Sequence, residues 1–270
     1  MLKRFIGASA LLVVLFAVIF LMSKEYTALL FGLMAAIAAY ELTRGTGLVK
    51  NTRLTVYAML IAFAVPVWSF FGMDYTIGLV GMLIFISFLY MELLISKGKL
   101  PYSEVAVSFM AGVVVPFLFS AVVRIFAKEK GIYLVFIPFL LAFTSDTGAY
   151  FAGRFFGKHK LAPVVSPNKT VEGVIGGVVL TVLVMLLYCL LMQFGFNLKV
   201  NYLYAVIYGM AGAMAGVFGD LSFSAIKRQT GIKDYGNLIP GHGGVLDRFD
   251  SMTLVAPLAE ALLLLIPMVS

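Results

Sequence analysis

Long apolar stretches separated by short polar turns recur along the whole 270-residue chain. A transmembrane helix needs roughly 20 predominantly apolar residues. Nine stretches of this kind lie at approximately residues 5–22, 26–43, 54–72, 75–95, 103–126, 131–153, 171–195, 200–226 and 245–268. Because backbone groups inside a bilayer must be hydrogen-bonded within their own segment, short turns between such stretches favour a helical bundle over a barrel. The sequence therefore predicts an all-α polytopic membrane protein with about nine transmembrane helices.

The composition agrees with this prediction and excludes other classes. Hydrophobic residues make up 62% of the chain and charged residues 12%, whereas a soluble domain is about 25% charged. The single cysteine, Cys189, lies in an apolar stretch, which excludes an intrachain disulfide framework and a cysteine-based zinc site. The formal charge of +7 is typical of cytoplasmic loops beside anionic lipid, so no nucleic-acid partner is predicted.

The distribution of lysine and arginine predicts the orientation. With the N-terminus in the cytoplasm, 15 of the 20 Lys and Arg residues fall in cytoplasmic segments, as expected from the excess of cations in cytoplasmic loops. The turn at residues 124–130 goes against this pattern. The first stretch follows Lys3 and Arg4, as in a signal peptide, but no small-residue cleavage pattern follows Phe20. We interpret it as a retained helix, which places the C-terminus outside.

The chain divides into two regions of different character. Residues 1–130 contain about five apolar helices and little else, whereas residues 131–270 form the predicted catalytic region. The two longest polar insertions, at 154–170 and 227–244, both lie in this second region and on the predicted cytoplasmic side. No linker rich in Pro, Gly or Ser separates the regions.

Four aspartates lie near the cytoplasmic ends of the later stretches: Asp146, Asp220, Asp247 and Asp250. A charge at the centre of a membrane helix costs about 2.5–3.5 kcal/mol, so such carboxylates need partners, and a metal ion serves several at once. The alternative for Asp220 and Asp247 is a buried salt bridge. The nearest cations in sequence are Lys227 and Arg248.

Helical spacing places some of these residues together. Gly212, Gly216, Asp220 and Ser224 recur at every fourth position and therefore share one face. The glycines favour close packing between helices, which is the simpler interpretation of that pair.

The insertion at 227–244 combines cations with glycine. It contains Lys227, Arg228 and Lys233, followed by Pro240-Gly-His242-Gly-Gly directly before two aspartates. Cations suit a polyphosphate, and glycines let backbone N–H groups approach anionic oxygens. A solvated basic loop would explain the lysines but leaves the glycine run unexplained.

The insertion at 154–170 ends in a second candidate anion site. Pro167 prevents a helix there and the next span starts near Val171, so Lys169 and Thr170 are predicted at a helix N-terminus. Glu172 is interpreted as complementing the helix dipole. Neither a Walker motif nor a G-x-G-x-x-G pattern is present.

These features predict a metal-assisted enzyme that acts on a phosphate-rich substrate at the cytoplasmic membrane face, with the bilayer supplying a second substrate. The alternative is a cation-coupled transporter whose intramembrane carboxylates bind the ion. Against the transporter, the acids lie near the ends of the stretches and beside glycine-rich loops.

Several motifs in residues 140–255 resemble one family. The stretch Ser224-Ala-Ile-Lys227-Arg228, then Lys233-Asp234, then Pro240-Gly-His242-Gly-Gly-Val-Leu-Asp247-Arg248-Phe-Asp250 resembles the signature of the phosphatidate cytidylyltransferases (CDP-diacylglycerol synthases). Gly219-Asp220-Leu221, Asp146-Thr-Gly-Ala-Tyr150 and Ser166-Pro-Asn-Lys169-Thr-x-Glu172 are similar to the family as well. The resemblance covers about half of the chain.

The resemblance implies that CTP and phosphatidate react to CDP-diacylglycerol and pyrophosphate, with Mg²⁺ and a second cation as candidate cofactors. It also implies a homodimer in the cell (inner) membrane with its active site on the cytoplasmic side. Asp220 and Asp247 would be metal ligands, and Asp250 and Asp146 would complete the shell. The catalytic set would be Asp220, Asp247, Lys227 and Asp250. The substrate-binding set would be Ser166, Asn168, Lys169, Ser224, Arg228, Lys233, His242 and Arg248.

Overall fold

A computed structural model describes residues 17–238 and 243–269 of the chain. Its helices are α1 (Lys24–Tyr40), α2 (Thr52–Phe70), α3 (Tyr75–Ile95), α4 (Tyr102–Phe109), α5 (Val115–Phe119), α6 (Ala121–Ala127), α7 (Gly131–Leu134), α8 (Phe136–Phe156), α9 (Val171–Phe196), α10 (Tyr202–Gln229), α11 (Leu246–Phe249) and α12 (Met252–Leu265). Two π-helical turns, Glu41–Gly45 and Met110–Val114, continue α1 and α4.

Seven helical segments among the described residues are long and apolar enough to cross a bilayer. They are Lys24–Gly45, Thr52–Phe70, Tyr75–Ile95, Tyr102–Ala127, Gly131–Phe156, Val171–Phe196 and Tyr202–Gln229, and they correspond to the second to eighth predicted stretches. The first stretch lies mostly outside the described residues, although residues 17–21 are helical. The described part of the chain is therefore predominantly helical, with several helices of membrane-spanning length, as expected for a polytopic protein.

The ninth predicted stretch differs from the prediction. It contains two helices, α11 and α12, and α12 is only 14 residues long, which is short of the roughly 20 residues of a full span. The break falls at Asp250 and Ser251, where a polar turn interrupts the stretch. A count of apolar residues does not detect such a break.

The structure separates into two compact units, and the first combines distant parts of the sequence. It comprises Met1–Glu129 and Gln229–Phe249. Helices α1 and α2 pack closely at Gly32. A Cβ added there would be 2.8 Å from the backbone oxygen of Phe63, so only glycine fits without a shift. The core of the unit includes a cluster of fully buried side chains: Val49, Leu54, Phe85, Leu89 and Val105.

The second unit comprises Lys130–Arg228 and Asp250–Ser270. Helices α8 and α9 lie in close contact along their length, since a Cβ at Gly148 would be 2.8 Å from the backbone oxygen of Gly176. At one end of the unit, Val200 forms a bridge with Val269, and the N–H of Asn201 donates to the carbonyl of Met268 at 2.9 Å. The turn before α10 and the segment after α12 therefore lie at the same end of the unit.

A short antiparallel hairpin, which the all-helical prediction did not include, occupies the first polar insertion. Its strands are β1 (Lys160–Ala162) and β2 (Ser166–Thr170), with Lys160 opposite Thr170 and Ala162 opposite Ser166. Pro167 prevents a helix in β2. The carboxylate of Glu172 accepts hydrogen bonds from the backbone N–H groups of Lys158 and His159 and therefore fixes the base of the hairpin.

The close packing of α8 on α9 predicts that a larger residue at the interface destabilises the protein. Gly177→Val should lower the thermal stability by about 1–3 kcal/mol through overpacking, because the new Cβ would be 2.8 Å from the backbone oxygen of Ser145. Gly81→Val is the matched control, since a Cβ there meets no atom within 4 Å. Thermal unfolding of both variants in detergent measures the difference, and equal melting temperatures would contradict the packing.

Candidate functional site

An ion pair joins β2 to α10 in the second unit. The Nζ of Lys169 lies 2.5 Å from Oδ2 of Asp220, and Oγ of Ser224 donates to Oδ1 of Asp220 at 3.1 Å. Four-residue spacing on one helix face predicts the Asp220–Ser224 contact. Thr170 fixes the end of β2, because its side chain caps α9 by accepting the N–H of Gly173 at 3.1 Å.

A second carboxylate, Asp250, lies in the turn before α12 and outside the seven spans. Gly219 lets α10 approach this turn, since a Cβ there would be 2.9 Å from the backbone oxygen of Asp250. Burial raises the pKa of Asp250 above its usual range, and the negative charge of Asp220 raises it further. The ammonium of Lys227 opposes the shift, and the charge of Asp146 adds a smaller increase. This unit therefore gathers acids and cations within electrostatic range of one another.

Asp247 lies in the first unit, where backbone donors hold its carboxylate. Oδ2 accepts the N–H of Tyr235 at 2.7 Å and the N–H of Gly244 at 3.0 Å. Gly243 has a φ of +81°, which favours glycine, and a Cβ there would be 2.6 Å from Oδ2 of Asp247. The shape of this turn therefore requires glycine at position 243.

Glu41, at the end of α1, binds the same turn, and the sequence did not indicate this role. Its carboxylate accepts the N–H of Val245 at 2.9 Å and the N–H of Leu246 at 2.8 Å, and it is 3% exposed. The only signal in the sequence is an acid at the predicted cytoplasmic end of the second stretch. Nothing in the local pattern shows that its partners lie more than 200 residues away.

The predicted phosphate-binding cations fall into two groups. Lys169 and Lys227 are partly or fully enclosed in the second unit, whereas Arg228, whose Nε donates to the carbonyl of Val165 at 3.1 Å, is exposed. Lys233 and Arg248 are exposed on the first unit.

The remaining predicted substrate contacts are located as follows. Ser166 and Asn168 are partly or fully exposed on β2, the strand that carries Lys169. His242 lies outside the described residues.

The carboxylates of Asp220 and Asp250 are of the ligand type that a magnesium ion prefers. Within residues 17–238 and 243–269, no group of three or more His, Cys, Asp or Glu side chains is arranged to hold a metal ion. Mg²⁺, however, usually takes one or two carboxylates and completes its shell with water and substrate phosphates. Asp220 and Asp250 offer hard oxygen donors in the same unit, and their mutual repulsion favours a cation.

Comparisons with known proteins identify similar sequences over nearly the whole chain. The sequence profile of the Cytidylyltransferase family matches residues 2–266. A phosphatidate cytidylyltransferase of Bacillus subtilis is 34% identical over 267 residues, which is 96% of each chain. Proteins of the same name from Staphylococcus saprophyticus and Staphylococcus haemolyticus are 44% identical over 137 residues and 39% identical over 172 residues. The chain spans 51% and 63% of the length of these two relatives.

Proposed function

Since the chain belongs to the cytidylyltransferase family, we propose that it transfers the cytidylyl group of CTP to phosphatidate, forming CDP-diacylglycerol and pyrophosphate. The observation that carries the proposal is the pairing of Lys169 with Asp220, beside Asp250 and Lys227, in one membrane-embedded unit. The lysines of this group can bind anionic phosphates directly, and the aspartates can bind them through a cation. Among the described residues, no feature favours the transporter alternative.

The reaction requires little general acid or base catalysis from the protein. A phosphate oxygen of phosphatidate attacks the α-phosphorus of CTP, and the bond from that phosphorus to the oxygen of the leaving pyrophosphate breaks. The attacking oxygen is already anionic, so positioning and charge neutralisation carry most of the catalysis. Lys227 and Lys169 would hold phosphate oxygens through charge-assisted hydrogen bonds. When phosphate binds, Lys169 would exchange its contact with Asp220 for one with the substrate.

We also propose that the enzyme depends on Mg²⁺. Asp220 and Asp250, with Asp146, would hold the ion in the second unit, and Asp247 stays a predicted ligand on the resemblance. A divalent cation supplies positive charge between the carboxylates and the phosphates, which otherwise repel each other. The two backbone hydrogen bonds to Asp247 suit a ligand, because ligating carboxylates are themselves usually hydrogen-bonded.

The proposed membrane arrangement has the N-terminus and both polar insertions in the cytoplasm. A contact inside the first unit supports it: Nζ of Lys24 donates to the carbonyl of Lys128 at 3.2 Å, so two turns that are predicted to be external lie at the same end of that unit. The resemblance further leads us to propose a homodimer in the cell membrane. Light scattering of the purified protein in detergent measures its mass and tests the dimer.

A reconstituted assay tests the reaction. Purified protein in detergent should release pyrophosphate and form CDP-diacylglycerol only when CTP, phosphatidate and Mg²⁺ are all present, because each supplies a reacting group or the charge between them. EDTA should stop both products. Pyrophosphate release without the lipid would indicate a hydrolase, and cation flux in liposomes without any CDP-diacylglycerol would favour the transporter.

Replacing an aspartate by asparagine distinguishes a role as metal ligand from a role in packing. Asp220→Asn and Asp247→Asn should abolish turnover while the protein stays folded, because the shape is kept and the charge is lost. They should also reduce the rise in melting temperature that Mg²⁺ gives the wild type. Glu260→Gln is the control: it lies on α12, eight residues and about 12 Å of helical rise beyond the first residue of that helix, Met252. If Glu260→Gln abolishes turnover and Asp220→Asn does not, the metal assignment is wrong.

Cysteine labelling tests the orientation. In a background with Cys189 replaced, single cysteines at the exposed positions Lys160 and Lys233 should react in intact cells only with membrane-permeant reagents. A cysteine at exposed Lys199, in a predicted external turn, should react with impermeant reagents as well. The reverse pattern would invert the proposed topology.

A further inference from the structure

We propose that Glu41 is a positioning residue of the active site, holding the turn from which Asp247 projects. The inference rests on the proposed function, since it assigns Asp247 a part in that reaction. Glu41 opens the π-helical turn Glu41–Gly45 at the end of α1, and such turns occur frequently at functional sites.

Two carboxylates share the backbone donors of this turn. Glu41 accepts from Val245 and Leu246, and Asp247 accepts from Gly244 and Tyr235. The N–H groups of three consecutive residues, 244 to 246, therefore all point to carboxylates. If Glu41 were neutral, the N–H groups of Val245 and Leu246 would lose charge-assisted bonds that are about twice as strong as neutral ones.

Two glycines of the first unit, Gly236 and Gly244, leave room for the carboxylate of Glu41. A Cβ at Gly244 would overlap the Glu41 carboxylate, and a Cβ at Gly236 would be 2.6 Å from its Oε1. On the same π-helical turn, a Cβ at Gly45 would overlap the backbone oxygen of Tyr235. The end of α1 is thus in contact with both backbone segments that donate to Asp247.

The direction of the effect follows from this geometry. Val245 and Leu246 directly precede Asp247, so a shift of their backbone moves its carboxylate. Glu41 itself is buried and bonded to backbone, so it acts through Asp247 and not on the substrate. Loss of its charge should therefore raise the Mg²⁺ concentration that the enzyme needs, while the protein stays folded.

The chain contains a matched control for a purely structural role. Glu104 is 6% exposed, and its Oε2 accepts the N–H groups of Lys50 and Asn51 at 2.8 and 3.0 Å. Like Glu41, it is a buried glutamate of the first unit that holds a connecting turn, but that turn carries no predicted site residue. Glu104→Gln therefore removes the negative charge from another pair of backbone hydrogen bonds in the same unit.

The experiment compares Glu41→Gln and Glu104→Gln in detergent by three measurements. Glu41→Gln should lower kcat by about 10- to 100-fold, the usual effect of losing a partner that orients a metal ligand. It should also raise the Mg²⁺ concentration that gives half-maximal rate, so that added Mg²⁺ restores part of the activity. Hydrogen exchange should become faster at residues 244–247 in Glu41→Gln and at residues 50–51 in Glu104→Gln, which should keep the wild-type Mg²⁺ response.

Each result decides the inference. Equal losses of activity in the two variants, or an unchanged Mg²⁺ response in Glu41→Gln, would overturn the positioning role. Unchanged exchange at residues 244–247 would overturn the hydrogen bonds themselves. If the wild type makes no CDP-diacylglycerol, the proposed function fails and the role in that reaction fails with it, while the exchange data still report separately on the turn.

Discussion

Backbone that leaves the helix near a membrane must find hydrogen-bond partners within the protein, since lipid offers none. In the first unit, carboxylates meet this need. Glu41, Glu104 and Asp247 each accept two backbone N–H groups, and all three are buried. The irregular turns of this unit, including the one that carries Asp247, depend on these few acids for their shape.

The second unit has a different arrangement, because the negative charges of Asp220 and Asp250 lie within electrostatic range of each other. Gly219 allows the Asp250 turn to pack against α10, and burial, together with repulsion from Asp220, raises the pKa of Asp250. Lys169 and Lys227 supply compensating charge. A group of anions balanced by Lys169 and Lys227 can exchange partners when phosphates bind, which is the property that the proposed reaction requires.

The sequence predicted what depends on local pattern and missed what depends on tertiary contact. Hydropathy located seven spans, and four-residue spacing placed Ser224 beside Asp220. The Asp220–Lys169 pair needed the β hairpin, which periodicity does not reveal. Glu41 looked like an ordinary acid at a helix end, because its partners are distant in sequence. The break at Asp250 was hidden inside an apolar stretch.

The division of the first unit has a consequence for biosynthesis. Glu41 and its partner Val245 are separated by 204 residues, and ribosomes add about 5–20 residues per second. The nascent chain therefore carries this carboxylate for about 10–40 seconds before its donors are made. During that interval the acid can remain hydrated or protonated at the membrane surface, and the first unit closes only when the last helices are being inserted.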